Sequence, residues 1–484
     1  MFMPSSFQNL MVRMQTVVVF LLFVVIQNLN AEQIHNARYP HDPAFDAVPE
    51  SEKGEILSFK WDQSAIYPGT QREVKVYVPK QYDGKTPACL LVCMDGIAYN
   101  ATTVMDNLIR RGEIPVMVGV FIVSGVIRDA DGSVIRYNRS NEFDRVDDRF
   151  VTFINEEILA HVQTMKTSDG RQILISPDGR DRAITGASSG AICAFTAAWQ
   201  RPDLFSRVYS SVGTFVSMRG GHEYPELIRK TEPKPLRIFL QDGVNDAWNP
   251  LFGEWWDANQ QMESALDFAG YELSFKWDRG GHSTVHGTQV FPDAMRWLWK
   301  GWPDKVKAGV SRNDMLQTLL DEALPEWRKV MEKVTEGKFL KAVEGDTVAF
   351  ASGNFDPYTA VYPGGKHLAK VDVKAHTNWI NNYVVGKKGK LLYGEEFYWI
   401  HGKPGQICFD SDGNLYVATA MGVQVCDQNG RVRAILSLPS GSVDAVAFSG
   451  HQLFVISGGA LWKRTLKSRG SLSSDPTPKS QGQG

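Results

Sequence analysis

Residues 182–199 read RAITGASSGAICAFTAAW, and this stretch decides the fold. A short strand runs into the motif G-x-S-x-G at residues 186–190, and an apolar helix follows. Such a strand-to-helix turn exposes a serine hydroxyl at the edge of an α/β sheet and leaves room only for small neighbours. We therefore predict that Ser188 is a nucleophile and that the N–H of Ser189, at the helix N-terminus, stabilises an oxyanion. A glycine turn with an incidental serine is the alternative.

The sequence around this motif predicts an open α/β sheet. Between residues 55 and 302, short β-rich runs alternate with helical stretches. Runs such as LLVCM and VMVGVFIV are continuously apolar, which is typical of strands that helices cover on both faces. The predicted strands are 56–61, 73–78, 89–94, 116–123, 183–185, 208–211, 236–241 and 273–277. The predicted helices lie near 99–111, 148–164, 189–200, 254–269 and 288–300.

A serine nucleophile needs a base and an acid that orients the base. In α/β-hydrolases both follow the serine along the chain, the acid before the histidine. His282, in the loop GGH after a predicted strand, is the predicted base, and His286 is the reserve; His222 precedes the acid and fits this order poorly. Asp246 is the predicted acid because its loop can reach the histidine. Asp242, at the end of the strand LRIFLQ, is interpreted as a turn residue.

Two further groups complete the predicted site. The second oxyanion donor is expected after an early central strand, so the N–H of Ile97 or of Gly96 is the candidate, and Asp95 is interpreted as a turn residue. Trp248 and Trp255 follow the predicted acid and are candidate substrate-binding residues. Burial of such aromatic residues on the core face of a helix is the alternative.

Composition restricts the class of protein. The chain has 484 residues, 43% of them apolar, which suggests two or three ordinary globular domains. With 52 Lys and Arg against 54 Asp and Glu, the balance argues against a nucleic-acid partner. The five cysteines form no CxxC or Cys/His cluster that would suggest zinc, and a serine triad needs no cofactor, so we predict neither a metal nor a cofactor. Cys408 and Cys426 are interpreted as buried residues; a disulfide between them on adjacent strands is the alternative.

The first 31 residues have the pattern of a signal peptide. Arg13 supplies a positive charge, residues 17–26 form a ten-residue apolar run, and Ala31 offers a small residue at a cleavage point. Ten apolar residues are too few to span a bilayer about 30 Å thick. We therefore predict export to the periplasm or the exterior without a stable membrane anchor; a buried N-terminal strand is the alternative.

The remaining chain divides into three further segments after an α/β domain at 32–302. Residues 303–340 are predicted to be a helical connector, because leucines recur at helical spacing from Leu316 to Leu324. Residues 341–466 are predicted to be all-β, because short strands alternate with turn dipeptides such as Asp412-Gly413 and Asn429-Gly430. Residues 467–484, rich in Ser, Gly, Pro and Gln, are predicted to be disordered.

The motifs GASSG, LQDGVND and GGH, with the strand ending MDG, resemble the esterase family that includes enterochelin esterase and esterase D relatives, over about residues 55–300. The resemblance implies an α/β-hydrolase fold and serine ester hydrolysis, with Ser188, Asp246 and His282 in the triad positions. It implies no single substrate.

The stretch DSDGNLYVAT at 410–419 resembles a strand–turn–strand unit of a gluconolactonase-type β-propeller, over about residues 345–466. There is room for about three blades of ~40–45 residues, and closure takes four, so a partial propeller is expected. DSDG resembles the start of a calcium loop, but the later loop positions hold Leu415 and Met421, so we favour a hairpin turn.

These observations predict an exported serine hydrolase that cleaves a small-molecule or polysaccharide-linked ester. A metal-dependent sugar lactonase and a binding protein on a hydrolase scaffold are the alternatives. Because a partial propeller leaves open strand edges, we expect the β-module to pack on the hydrolase domain or on a second copy of the chain, as a homo-oligomer.

Overall fold

A computed structural model describes residues 39–321, 326–335, 337–343, 347–351, 355–438, 441–472 and 474–478. The predicted signal peptide, residues 1–31, lies outside this set. Within it, no helix is both long enough and apolar enough to cross a membrane.

The α/β domain is built on one eight-stranded sheet in the order β1-β2-β4-β3-β5-β6-β7-β8. β1 and β4 are each antiparallel to β2, and the other neighbours are parallel. All eight predicted strands are present. The bounds are β1 Glu55–Trp61, β2 Arg72–Val78, β3 Cys89–Met94, β4 Met117–Ile122, β5 Arg182–Ala187, β6 Arg207–Ser211, β7 Arg237–Asn245 and β8 Glu272–Gly281.

Helices cover both faces of this sheet, which explains why β3 and β4 are apolar and buried at every position. The main helices are α1 Ala101–Arg110, α2 Ser189–Gln200, α3 Tyr224–Lys230, α4 Trp255–Phe268 and α5 Thr284–Trp299. Residues 149–162 form one further helical segment, with a π turn over Ile154–Ile158 between the α-helices Arg149–Phe153 and Leu159–Val162. The shorter helical elements of this domain are the α-helix Arg139–Phe143 and the 3₁₀ turns Pro43–Phe45, Glu50–Glu52, Gly179–Asp181 and Gly221–Glu223. Two small hairpins join Val126–Arg128 to Val134–Tyr137 and Trp248–Asn249 to Gly253–Glu254. One further 3₁₀ turn, Lys387–Gly389, lies in the second part of the chain.

The second part of the chain is antiparallel β structure. Its described residues contain three four-stranded sheets and one separate hairpin. In sheet order, the strands are Thr359–Val361, His367–Lys370, Trp379–Val385 and Leu391–Trp399; Ile407–Phe409, Leu415–Thr419, Gly422–Cys426 and Val432–Leu436; and Arg328–Met331, Ala460–Thr465, Gln452–Ser457 and Ala445–Ser449. The separate hairpin joins Leu340–Val343 to Thr347–Phe350.

The predicted helical connector at 303–340 is wrong in most of its described length. Only α6, Asp314–Leu319, is an α-helix, and Arg328–Met331 is a strand that pairs with Ala460–Thr465. Leu316 and Leu319 pack into the core of the β-module. The helical spacing of the leucines therefore predicted only the short helix α6, which packs on the β-module. Pairing with a distant strand determined the conformation of Arg328–Met331.

One smaller prediction needs correction, and one alternative is excluded. The described residues after 466, predicted to be disordered, contact the β-module: Gly470 pairs with Asp410, and the N–H of Ser411 donates to the carbonyl of Arg469. Cys408 and Cys426 are free thiols, because their strands lie on opposite sides of Leu415–Thr419. Two strand spacings of about 4.8 Å exceed the reach of a disulfide.

The β-module packs on the α/β domain at the end opposite the predicted site. Glu232, just before β7, binds the buried Arg464 guanidinium through two hydrogen bonds of 2.7 and 2.8 Å. Thr231 pairs with Ile435, and Leu227 of α3 lies in a module core. Since the site residues follow the carboxyl end of β7, the module contacts the domain away from them.

Candidate active site

Ser188 lies on a sharp turn between β5 and α2. Its φ of 58° and ψ of −121° are unusual for a non-glycine residue, so the surrounding structure must hold it there. A Cβ on Gly186 would come within 2.4 Å of the Gly190 backbone, and a Cβ on Gly190 would lie 3.0 Å from the Cβ of Met94. The spacing G-x-S-x-G is therefore a packing requirement of this turn.

The three residues predicted to form a triad are hydrogen-bonded in a row. The Nε2 atom of His282 lies 2.8 Å from Oγ of Ser188, and its Nδ1 atom lies 2.5 Å from Oδ1 of Asp246. The Asp246 side chain is fully buried, whereas that of His282 is 31% exposed. An imidazole held in this way by a carboxylate has its second nitrogen free to accept a serine proton.

The sheet topology explains why this acid and this base meet. β7 and β8 are parallel neighbours, and the register brings Asn245 opposite Gly281. Asp246 and His282 therefore leave the same sheet edge one residue after these paired positions. The side-chain amide of Asn245 donates to the carbonyl of Arg279 at 2.9 Å and ties the two loops together.

The electrostatics keep Asp246 ionised. Burial pushes its pKa upward, but hydrogen bonds from His282 and then Asp242 outweigh burial, and the net pKa lies below the usual value. Asp242 has the opposite shift: burial, followed by the contact with Asp246, holds its pKa well above the usual range. Asp242, interpreted from the sequence as a turn residue, is instead buried on β7 beside the acid.

Sequence reasoning missed Thr214. Its Oγ1 atom lies 3.1 Å from Oγ of Ser188 and accepts a hydrogen bond from Nε1 of Trp255, also at 3.1 Å. An indole N–H can only donate, so Thr214 accepts from Trp255, and either hydroxyl can be the donor in its contact with Ser188. Thr214 is 26 residues from Ser188 and carries no motif, so no local sequence signal identifies it.

The structure also locates the other predicted site residues. Ser189 is the first residue of α2, and Gly96 and Ile97 follow β3, the central strand next to β5. The preceding residue, Asp95, accepts two hydrogen bonds from the Arg139 guanidinium, at 2.9 and 2.8 Å. Asp95 is therefore held in an ion pair at this edge of the sheet.

The two predicted substrate-binding tryptophans differ in exposure. Trp248 is 67% exposed, whereas Trp255 is 7% exposed and packs edge-on against the His282 ring. Trp255 thus packs against His282 from the protein interior. Exposed apolar side chains also lie close in sequence to the site residues: Ile97 after β3, Val244 near the end of β7, Leu251 in the turn beyond it and Val285 at the start of α5.

The other candidates lie outside the hydrogen-bonded row. His286 pairs with Asp278 at 2.8 Å, and His222 lies in the 3₁₀ turn Gly221–Glu223. A cavity of about 920 Å³ lies where the α/β domain meets the β-module, and neither Ser188 nor His282 lines it. Among the residues that the structure describes, no group of three or more His, Cys, Asp or Glu side chains is arranged to hold a metal ion.

Comparisons with known proteins give consistent matches. The family model Esterase, described as "Putative esterase", matches residues 65–367. The iron(III) enterobactin esterase of Dickeya dadantii is 25% identical over 300 residues, which cover 56% of this chain and 62% of that relative. Among solved structures, an enterobactin esterase from Shigella flexneri aligns with a TM-score of 0.42, 21% identity and coverage of 55% and 64%. A ferulic acid esterase aligns with a TM-score of 0.40 and 17% identity, covering 51% of this chain and 99% of its own.

Proposed function

The chain belongs to the Esterase family, and from that premise we propose that it is a serine hydrolase that cleaves carboxylic esters through Ser188, His282 and Asp246. The observation that carries the proposal is the hydrogen-bonded row from Oγ of Ser188 to Oδ1 of Asp246, at 2.8 and 2.5 Å. The fold we propose for residues 32–302 is the α/β-hydrolase. The strand-to-helix position of Ser188 and the order serine, acid, histidine support it.

In the proposed reaction, Oγ of Ser188 attacks the ester carbonyl carbon while Nε2 of His282 takes the hydroxyl proton. The imidazolium then gives this proton to the departing alkoxide, which leaves an acyl group on Ser188. Water attacks the acyl-enzyme with His282 again as the base, and the serine proton is restored when the acid leaves. The Asp246 carboxylate stabilises the imidazolium in both halves of the reaction.

The oxyanion formed in each half needs donors that are already oriented. We assign this role to the backbone N–H groups of Ser189 and of Ile97 or Gly96. Two observations support the assignment. Ser189 begins a twelve-residue helix, whose N-terminus favours negative charge. The loop after β3 lies against the turn, since a Cβ on Gly190 would lie 3.0 Å from Cβ of Met94 and 3.2 Å from Oδ2 of Asp95.

The exposed apolar side chains near the site suggest the class of substrate. Val244 lies near the end of β7, Trp248 and Leu251 follow that strand, Val285 lies at the start of α5, and Ile97 follows β3. A rim of this kind favours esters with an apolar or aromatic part over small hydrophilic esters. Esters linked to a polysaccharide are included in this proposal.

For the β-module we propose a partial propeller of three blades, supported by its three four-stranded antiparallel sheets. Asp410 of the DSDG turn accepts hydrogen bonds from the N–H groups of Asp412 and Asn414 and from the Asn414 side chain and the Tyr416 hydroxyl. Its carboxylate is thus engaged within the turn, which supports a structural role. Export directed by residues 1–31, and a homo-oligomer formed through this module, remain predictions.

A panel of nitrophenyl, feruloyl, acetyl-sugar and catecholate esters tests the proposed function. We expect the full chain to hydrolyse at least one aromatic ester, with the same rate in the presence of EDTA, and we expect folded Ser188→Ala to lose this activity. The matched control is Thr152→Ala, whose hydroxyl donates to the carbonyl of Asp148 and makes no bond to the triad in the described structure. Turnover that EDTA abolishes, or that Ser188→Ala retains, would exclude the serine mechanism.

A further inference from the structure

The predicted acid has a second carboxyl group beside it. Asp242 is fully buried on β7, and its Oδ1 accepts a hydrogen bond of 2.7 Å from the N–H of Gly243. Oδ1 of Asp246 is hydrogen-bonded to Nδ1 of His282 and also accepts a hydrogen bond from the N–H of Ala247. In each residue the other oxygen, Oδ2, is buried and receives no hydrogen bond from an N–H or O–H donor of the described residues. The two carboxyl groups are themselves within hydrogen-bond reach.

One proton accounts for both unpaired oxygens. Two ionised carboxylates in contact and shielded from water would repel each other strongly, so such a pair holds a proton between its members. A protonated carboxyl is a donor, which a carboxylate is not. A proton on Asp242 that is donated to Asp246 gives each Oδ2 atom a partner and leaves the Asp246 charge available to His282.

The groups around the pair favour this position of the proton. His282, from the loop after β8, faces Asp246 and stabilises a negative charge there. Asp278 of β8, opposite Gly243 in the register, adds a smaller like-charge effect that disfavours a negative charge on Asp242. Asp278 is in turn bound by Nδ1 of His286, by Nε2 of Gln241 and by the Tyr39 hydroxyl. Two carboxylates, Asp246 just after β7 and Asp278 on the neighbouring strand, therefore disfavour a negative charge on Asp242.

We propose that Asp242 is a protonated positioning residue, whose carboxyl group donates a hydrogen bond to Asp246 and fixes that acid toward His282. This proposal rests on the proposed function of Asp246 and His282. It adds Asp242 to the three triad residues as a residue that acts through Asp246. The hydrogen bond orients Oδ1 of Asp246 toward the imidazole. It also withdraws part of the Asp246 charge, which lowers the tendency of Asp246 to take the histidine proton.

The kinetic test compares two substitutions at one position. Asp242→Asn keeps a donor, and we expect kcat close to that of the wild type. Asp242→Val removes the donor, and we expect kcat to fall about 10- to 100-fold with KM unchanged, the size expected for one hydrogen bond to a charged group. In the valine variant Asp246 carries its full charge, so we expect the acid limb of the pH–kcat profile to move to higher pH. A structural defect alone would leave that limb in place.

Two spectroscopic measurements test the pair without relying on activity. Infrared spectra at pH 8 should show a carboxylic-acid C=O band that is lost in Asp242→Asn and retained in Asp410→Asn. Asp410 is the matched control, since burial raises its pKa only to about 6 and it is ionised at pH 8. The NMR resonance of the His282 Nδ1 proton should move in Asp242→Val and stay in place in Asp242→Asn.

Each outcome separates this proposal from the proposed function. If the band at pH 8 is the same in the wild type and in Asp242→Asn, Asp242 is ionised and the proposal is wrong, even if the valine variant does not fold. An unmoved His282 resonance in folded Asp242→Val, or equal losses of kcat in both variants, would also overturn it. A chain that shows both spectroscopic effects and hydrolyses no ester would support the carboxyl pair and refute the esterase function.

Discussion

Substitution of Asp246 by asparagine tests the role of the acid in the triad. In Asp246→Asn the side chain keeps its volume and loses its charge, at a group that is fully buried and 2.5 Å from Nδ1 of His282. Loss of a charged hydrogen bond costs about 1.5–3 kcal/mol, or roughly 10- to 150-fold in rate. If the amide nitrogen faces Nδ1 instead, the imidazole takes the wrong tautomer, and such a change costs about 10⁴ in kcat in a serine protease.

We therefore expect kcat to fall by about 10 to 10⁴ with little change in KM, because Asp246 acts through His282 on the reacting atoms. The assay is steady-state hydrolysis of a nitrophenyl ester, with circular dichroism to confirm that each variant is folded. Asp278→Asn is the matched control. Its carboxylate also binds a histidine Nδ1, at 2.8 Å, on the same sheet edge, but that histidine, His286, makes no bond to Ser188 in the described structure.

If folded Asp246→Asn retains kcat within about threefold of the wild type, Asp246 is not the acid that orients His282. If instead Asp278→Asn has the large loss and Asp246→Asn does not, the reserve histidine His286 is the base. If folded Asp242→Asn is the inactive variant and Asp246→Asn is nearly normal, the acid assignment is reversed.

Three further predictions address the surroundings of the site and the packing of the domains. Thr214→Val removes the hydroxyl between Trp255 and Ser188, so we expect kcat to fall up to about tenfold at constant KM, measured on the same ester, whereas an unchanged kcat would remove Thr214 from the site. Burial first, and then Asp246, raise the folded-state pKa of Asp242 above its unfolded value, so the native state holds an extra proton and wild-type stability falls by about 1.4 kcal/mol per pH unit above the usual aspartate pKa. Asp242→Asn has no such loss, and urea titrations from pH 5 to 8 should show its stability relative to wild type growing with pH; a constant difference would contradict the shift. Glu232→Ala leaves the buried Arg464 charge unpaired and should cost about 3–5 kcal/mol in module unfolding, while the exposed control Glu332→Ala should cost almost nothing; equal unfolding midpoints would show that the ion pair does not hold the module.

The sequence was most informative where chemistry depends on local spacing. The strand, the G-x-S-x-G turn and the helix at 182–199 identified the sheet, because only small residues fit that turn. Chain order then selected Asp246 and His282, which the structure brings into hydrogen-bond contact with each other and with Ser188. Apolar runs identified central strands such as β3 and β4, because burial on both faces leaves a continuous signal.

The sequence was less informative where a residue's role depends on distant contacts. Asp242 has the sequence environment of a turn residue, and only the fold shows it buried against a second carboxyl group. Arg328–Met331 pairs with a strand about 130 residues later, so its helical spacing misled us. Thr214 hydrogen-bonds to Ser188 because β6 lies beside β5, a proximity that one sequence does not reveal.

The central claim is that Ser188 is a nucleophile activated by His282. Reaction of the full chain with a fluorophosphonate probe, followed by intact-mass measurement and peptide mapping, tests it most directly, because the probe forms a stable adduct only with an activated serine. We expect one adduct per chain, on Ser188, with none in Ser188→Ala and much slower labelling in His282→Asn than in His286→Asn. An active chain that takes up no probe, or takes it up at another serine, would contradict the account.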